Sequence, residues 1–164
     1  ITDQARITFS DRFAGPVDQN LAFDVGDYVI HRSDGFAAYQ LAVVVDDHLD
    51  RITHVVRGAD LLYSTPRQIH LQTLLGYERP AYGHLPIVLD DQGRKLSKQD
   101  KDRPVSADEP LPSLLAAWEF LSQPTPEWTL QTTDEFWAFA SKNWNTSSLT
   151  IPEYNLLDSQ SKQN

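Results

Sequence analysis

The sequence predicts an α/β fold followed by a small, mostly helical C-terminal region, and three observations carry that prediction. A strand-like apolar run at residues 52–56, a helix signal at Ser64-Thr65-Pro66 and a second apolar strand from Ala81 follow one another in the chain. Strand, helix, strand is the rhythm of a parallel sheet with crossover connections. Beyond Lys101 the composition shifts to Pro, Ser, Asp and Glu, and helical periodicity resumes at residues 111–121. With 164 residues and 40% hydrophobic content the chain has enough apolar surface to bury a core under these elements.

Taken in order, residues 1–20 mix Ile7, Phe9 and Phe13 with polar neighbours, which reads as a strand followed by a loop at Ala14-Gly15-Pro16. Residues 23–30 read as a second strand, and Ser33-Asp34-Gly35 as the turn of a hairpin-like reversal. Residues 37–49 are ambiguous. Leu41-Ala42-Val43-Val44-Val45 is β-branched enough for a buried strand, and periodicity alone chooses strand. The run at 52–56 ends at Arg57-Gly58, so Arg57 is expected at a strand end, where open α/β sheets bind ligands. Ser64 is expected to cap a helix over 66–75, with Pro66 at its first position, Ile69, Leu71, Leu74 and Leu75 on its apolar face and Gly76 at its stop. Leu114, Leu115, Trp118 and Leu121 share one helical face. Thr132-Thr133-Asp134-Glu135 matches a capping box ahead of a helix carrying Phe136, Trp137, Phe139, Ala140 and Trp144. With only Lys142 among them, these aromatics read as core rather than as a base-stacking platform.

A formal charge of −9 and a pI of about 4.8 argue against an extended basic nucleic-acid footprint, so any RNA contact is expected to be local and salt-sensitive. No apolar run approaches the ~18 residues of a membrane span, and the cytoplasm is the expected compartment, with no membrane partner. There is no cysteine, hence no disulfide and no thiolate metal site. The five histidines show no H-E-x-x-H spacing, and no metal is expected in this chain. The chain starts at Ile1 and contains no methionine, which reads as an internal or trimmed piece.

The chemistry concentrates in residues 89–100. The apolar run 85–89 enters a turn of Asp90, Asp91 and Gly93, and Arg94, Lys95, Ser97 and Lys98 then cluster as donors suited to a polyanion such as a triphosphate. Lys95-Leu96-Ser97-Lys98 resembles the KMSKS signature of class I aminoacyl-tRNA synthetases in its glutamate-type form. Upstream stand Arg32-Ser33-Asp34-Gly35, Tyr39, Val43-Val44-Val45-Asp46-Asp47, Ile52-Thr53-His54-Val55-Val56-Arg57-Gly58, Ser64-Thr65-Pro66-Arg67-Gln68 and His84-Leu85-Pro86. Their order and spacing resemble the second half of a glutamyl-tRNA synthetase catalytic domain, over roughly residues 20–105.

The resemblance implies the C-terminal half of a Rossmann-like catalytic domain at 23–103, preceded at 1–22 by the tail of an acceptor-binding insertion. Residues 104–164 follow as a helical region with a polar tail. It turns the ambiguous 37–49 stretch into a helix. It implies that Lys98, assisted by Lys95 from a mobile loop and with Ser97, binds the phosphates of ATP, which enters with Mg2+ as a substrate. It implies that Tyr39 and Arg57 contact L-glutamate, Arg57 by bidentate pairing to the side-chain carboxylate. Chemically, fixed cations there lower the barrier to expelling pyrophosphate as the glutamyl-adenylate forms.

Gln99 follows the lysine loop and the chain ends about 65 residues later, a short form that resembles the glutamyl-Q tRNA(Asp) synthetase branch of the family. Members of that branch activate glutamate without tRNA and attach it to queuosine in the anticodon of tRNA(Asp). A truncated discriminating glutamyl-tRNA synthetase and a non-catalytic half-domain module remain open as alternatives. The family's HIGH-like motif and zinc site have no counterpart in these residues. The fragment alone is therefore expected to be inactive, with zinc confined to the missing N-terminal part and the protein a monomer.

Overall fold

A computed structural model describes residues 5–90, 92–96, 107–149 and 151. The chain divides into two compact units, one of Ile1–Leu85 with Ile151–Asn164, the other of Pro86–Thr150.

The first unit opens with an antiparallel hairpin, β1 (Arg6–Asp11) and β2 (Gly15–Asn20), in which Phe9 faces Val17 and Asp11 faces Gly15. Gly15 turns the chain at φ 79°, a left-handed conformation that glycine adopts without a Cβ penalty. The expected first strand is therefore present, but it is one arm of a hairpin: of the residues read as loop, Ala14 lies in the turn and Gly15 and Pro16 begin the other arm. The strand expected over 23–30 is absent. The Asn20 side chain accepts from the Phe23 backbone N–H and caps a single helical turn, α1 (Leu21–Asp24), and Gly26 at φ 74° breaks any extended run that would follow. Leu21 is wholly buried, whereas Phe23 is 89% exposed.

The reversal at Ser33-Asp34-Gly35 forms as expected, closed by an isolated antiparallel bridge between His31 and Ala37. Next comes α2 (Tyr39–Leu49), a helix despite its valines. Their propensity penalty is a few tenths of a kcal/mol each, small beside the burial of Val44 and the packing of α2 on the following helix. β3 (His54–Gly58) leads through a 3-10 segment, Ala59–Ser64, into α3 (Thr65–Leu75), and Gly76 at φ 72° ends that helix. β4 (Ala81–Leu85) pairs in parallel with β3, placing Arg57 opposite His84.

Two details of α3 depart from the sequence expectation. Ser64 does not cap the helix, because the 3-10 segment already holds it in a helical conformation. Leu74 and Leu75 are exposed, and the buried positions include Thr65, Gln68 and Gln72 beside Ile69 and Leu71. This helix turns a partly polar face inward, so its buried side chains need hydrogen-bond partners.

Phe9, Leu62, Ile69 and Tyr82 form the core of this unit, with Ile7, Ala14, Val17 and Val55 around them. The hairpin is seated on β4: the Arg12 N–H donates to the Tyr82 carbonyl at 2.9 Å, and Phe9 meets Tyr82 edge-on at 5.9 Å. Gly83 allows that approach. A Cβ there would stand 2.8 Å from Phe13 Cε2.

In the second unit, the Asp90 carboxylate organises the turn at 90–94. It accepts from the Gln92 and Arg94 backbone N–H groups at 2.9 and 2.8 Å and from Arg94 Nε at 2.8 Å, while Gly93 takes φ 76° and Leu89 bridges to Lys95. Two helices follow, α4 (Pro110–Phe120) and α5 (Thr133–Asn143). The capping box at Thr132 and Glu135 forms reciprocally. Trp118, Leu130, Phe136, Phe139 and Ala140 make the core, with Leu111, Leu114 and Leu115 against it. The expected aromatic face of α5 splits: Phe136 and Phe139 are buried, but Trp137 is 58% exposed. Among the described residues no helix is long and apolar enough to cross a membrane, and no group of acidic, histidine or cysteine side chains could hold a metal ion.

Candidate active site

The site builds outward from Arg57. In a parallel pair, residues in register project to the same face, so Arg57 on β3 and His84 on β4 are neighbours. Arg57 Nε donates to His84 Nε2 at 3.1 Å. One turn into α3, Thr65 and Gln68 lie three residues apart on one helix face, and both Nη2 hydrogens are taken up there, by Thr65 Oγ1 and Gln68 Oε1 at 2.8 Å each. Tyr82, two residues before His84 on the same face, places its ring 5.6 Å from the guanidinium carbon.

None of the hydrogen-bond partners of Arg57 among the described residues is a carboxylate, although its charge acts on the Asp47 carboxyl. The guanidinium makes no ion pair with a carboxylate there. Of its five N–H donors three are engaged, and the two that remain are both on Nη1. In this arrangement Nε and Nη2, the adjacent nitrogens of a side-on fork, are already held by protein acceptors, and the hydrogens of Nη1 are the ones left over.

Behind His84 stands Asp11, the last residue of β1. Its Oδ2 lies 2.6 Å from His84 Nδ1, and its Oδ1 accepts from the Phe13, Ala14 and His84 backbone N–H groups at 3.0, 2.9 and 3.0 Å. Both side chains are wholly inaccessible to solvent. Burial pushes the Asp11 carboxyl up, but the hydrogen bonds from His84, Ala14 and Phe13 outweigh it and hold the group below the ordinary carboxylate range. Asp47, near the end of α2, goes the other way: its burial raises it, against an opposing pull from the Arg57 charge.

Tyr39 is the first residue of α2 and is 51% exposed. Its neighbour Gln40 accepts from Gln68 Nε2 at 2.9 Å, which ties the start of α2 to the Arg57 network. Lys95 is exposed on the bridge to Leu89, and Arg94, expected among the phosphate donors, is ion-paired with Asp90. Ser97 and Lys98 lie outside the described residues. Reading the sequence assigns no individual role to Asp11, Thr65, Gln68 or His84. A histidine inside the apolar stretch Tyr82-Gly83-His84-Leu85 was the available signal, since a buried imidazole needs partners. Nothing local in the sequence marks Asp11.

Residues 1–130 match the family model described as "tRNA synthetases class I (E and Q), catalytic domain". The chain is 54% identical over 141 residues to a glutamyl-Q tRNA(Asp) synthetase of Aromatoleum aromaticum, covering 85% of this chain and 45% of that protein. It is 45% identical over 153 residues to one of Pseudomonas putida, covering 90% and 51%. It therefore spans about half the length of the curated relatives it matches. Among solved structures, a glutamate tRNA ligase of Elizabethkingia meningosepticum in complex with its amino acid superposes with a TM-score of 0.65 at 23% identity, covering 94% of this chain and 36% of that one, a likeness of fold. The parallel β3–β4 pair with its crossover helix, the matched model and these relatives lead to one conclusion: the chain belongs to the class I glutamate- and glutamine-type tRNA synthetase family, within its catalytic domain.

Proposed function

We propose that the complete protein joins L-glutamate to ATP–Mg2+ as a glutamyl-adenylate without tRNA, then transfers the glutamyl group to queuosine in the anticodon of tRNA(Asp). This chain supplies the C-terminal part of that machinery. Arg57 binds the side-chain carboxylate of glutamate through Nη1, and Tyr39 orients the same substrate. Lys98, with Lys95 and Ser97, binds the ATP phosphates as pyrophosphate leaves. The observation that carries this reading is a positioned guanidinium that, among the described residues, donates to no carboxylate and whose two remaining donors share one nitrogen, which leaves it able to take a carboxylate from substrate. The names of the relatives support glutamate and queuosine-bearing tRNA(Asp) as substrates. The residues at 1–22 act as the tail of the acceptor-binding insertion, residues 23–103 as the second half of the catalytic domain, and 104–164 as the helical appendage. The enzyme works as a cytoplasmic monomer.

The experiment is glutamate-dependent ATP–pyrophosphate exchange without tRNA, run on the full-length gene product and on this 164-residue chain in parallel. Exchange by the former alone is expected. In the full-length protein, Arg57→Ala should raise the KM for glutamate by about 10²-fold, the loss of a charged hydrogen-bonded contact, and leave the KM for ATP unchanged. Equal losses for both substrates would remove Arg57 from the glutamate site.

A further inference from the structure

Each of the three acceptors that hold Arg57 is itself oriented by another group. The Thr65 hydroxyl lies 3.2 Å from both the Leu61 carbonyl and His84 Nε2, so its one hydrogen has an acceptor on either side while its oxygen accepts from Arg57. Gln68 donates its amide to Gln40 Oε1, which fixes its own oxygen toward Arg57. His84 meets Asp11 through Nδ1. Arg57 Nε always carries hydrogen, so His84 Nε2 must accept, and the imidazole proton must sit on Nδ1, facing the carboxylate.

We propose that Asp11 and His84 are positioning residues for substrate recognition: the Asp11 carboxylate fixes the His84 tautomer, and His84 Nε2 then holds Arg57 so that Nη1 alone is presented to the glutamate carboxylate. The inference rests on Arg57 being the glutamate-binding residue. A merely structural role, fastening the hairpin to β4, does not require the imidazole. The Arg12 backbone bond to Tyr82, the Phe9–Tyr82 contact and the bond from the His84 N–H to Asp11 Oδ1 already do that. What needs the imidazole, in one tautomer, is Arg57 Nε. In the opposite tautomer Nε2–H would turn to Thr65 Oγ1, Arg57 Nε would lose its acceptor and face another N–H, and Asp11 Oδ2 would be buried without a donor.

The test is Asp11→Asn in the full-length protein, read by glutamate-dependent pyrophosphate exchange and by 15N chemical shifts of His84. The asparagine oxygen can still accept the three backbone N–H groups, but its amide donates to Nδ1 and drives the imidazole proton to Nε2, against Arg57. The same exchange of carboxylate for amide beside a histidine acts through the tautomer in serine proteases. The KM for glutamate should rise about tenfold or more while the KM for ATP stays as in the parent. Adding His84→Gln should restore most of the glutamate KM, because its carbonyl can accept from Arg57 Nε with no tautomer to satisfy. In the parent protein His84 should show a protonated Nδ1 and a bare Nε2.

A protonated Nε2 in the parent overturns the proposal even if the variant fails to fold. So does an unchanged glutamate KM in Asp11→Asn when Arg57→Ala raises it, or a double variant worse than Asp11→Asn. If Arg57→Ala itself leaves the glutamate KM unchanged, it is the reading of Arg57 that falls, and this proposal with it.

Discussion

The two units bury different chemistry. In the first, the buried polar side chains of His84, Thr65 and Gln68 converge on one guanidinium, with buried Asp11 behind His84, over a modest apolar core of Phe9, Leu62, Ile69 and Tyr82. In the second, the described core is aromatic and aliphatic and centres on Trp118, which meets Phe136 and Phe139 edge-on at 5.7 and 5.8 Å. Hydrogen bonds contribute about 1 kcal/mol each but fix direction, whereas apolar burial contributes about 1.5–3 kcal/mol per side chain with little directionality. The first arrangement suits a unit that must aim a side chain. The second suits one that must only hold together.

All four tryptophans, Trp118, Trp128, Trp137 and Trp144, lie in the second unit, so their fluorescence follows it separately, while the tyrosine near-UV signal of Tyr28, Tyr39, Tyr63, Tyr77 and Tyr82 follows the first. The largest expected effect is from Phe136→Ala, which should destabilise the second unit by about 3–5 kcal/mol in chemical denaturation monitored by tryptophan emission. If tyrosine and tryptophan transitions moved together by that amount, the two units would be one cooperative body and the contrast between them would fail.

Gly83→Ala should cost the first unit about 1–3 kcal/mol, since the added Cβ meets the Phe13 ring and must push the hairpin off β4. Its readout is the tyrosine signal, with tryptophan emission unmoved. Acid should act on the same unit. The Asp11 carboxyl is held below its unfolded value, so its contribution is complete above the ordinary carboxylate pKa of about 3.9 and is lost as pH falls through the lower folded value. The tyrosine signal should therefore change in that acid window, and the change should shrink in Asp11→Asn. The smallest effect is Thr132→Ala, about 1 kcal/mol in the second unit, from losing the cap that accepts from the Glu135 N–H at 3.2 Å.

What was legible in the sequence was local or carried by a contiguous motif. Thr132 and Glu135 announce a helix start because the capping box is a bond between residues three apart, and Gly76 announces a helix end because its left-handed turn is a property of one residue. The strand at β3, the helix at α3 and the position of Arg57 near a strand end were readable for the same reason. The helix at Tyr39–Leu49 was not readable from periodicity, since its valines favour strand, and only likeness to a family chose correctly. The strand expected at 23–30 failed because an asparagine cap and a left-handed glycine override an alternating pattern.

By itself, then, the sequence determined the α/β class, the helical appendage, the family and the placing of a cation, Arg57, near a strand end. The tertiary structure alone decided how that cation is aimed. Asp11 and His84 are 73 residues apart and meet only because the hairpin seats on β4 over Gly83, and Arg57 meets His84 only through the register of two parallel strands. Contacts of that separation leave no local periodicity or spacing to read, because they arise from the packing of elements rather than from the preferences of neighbours along the chain.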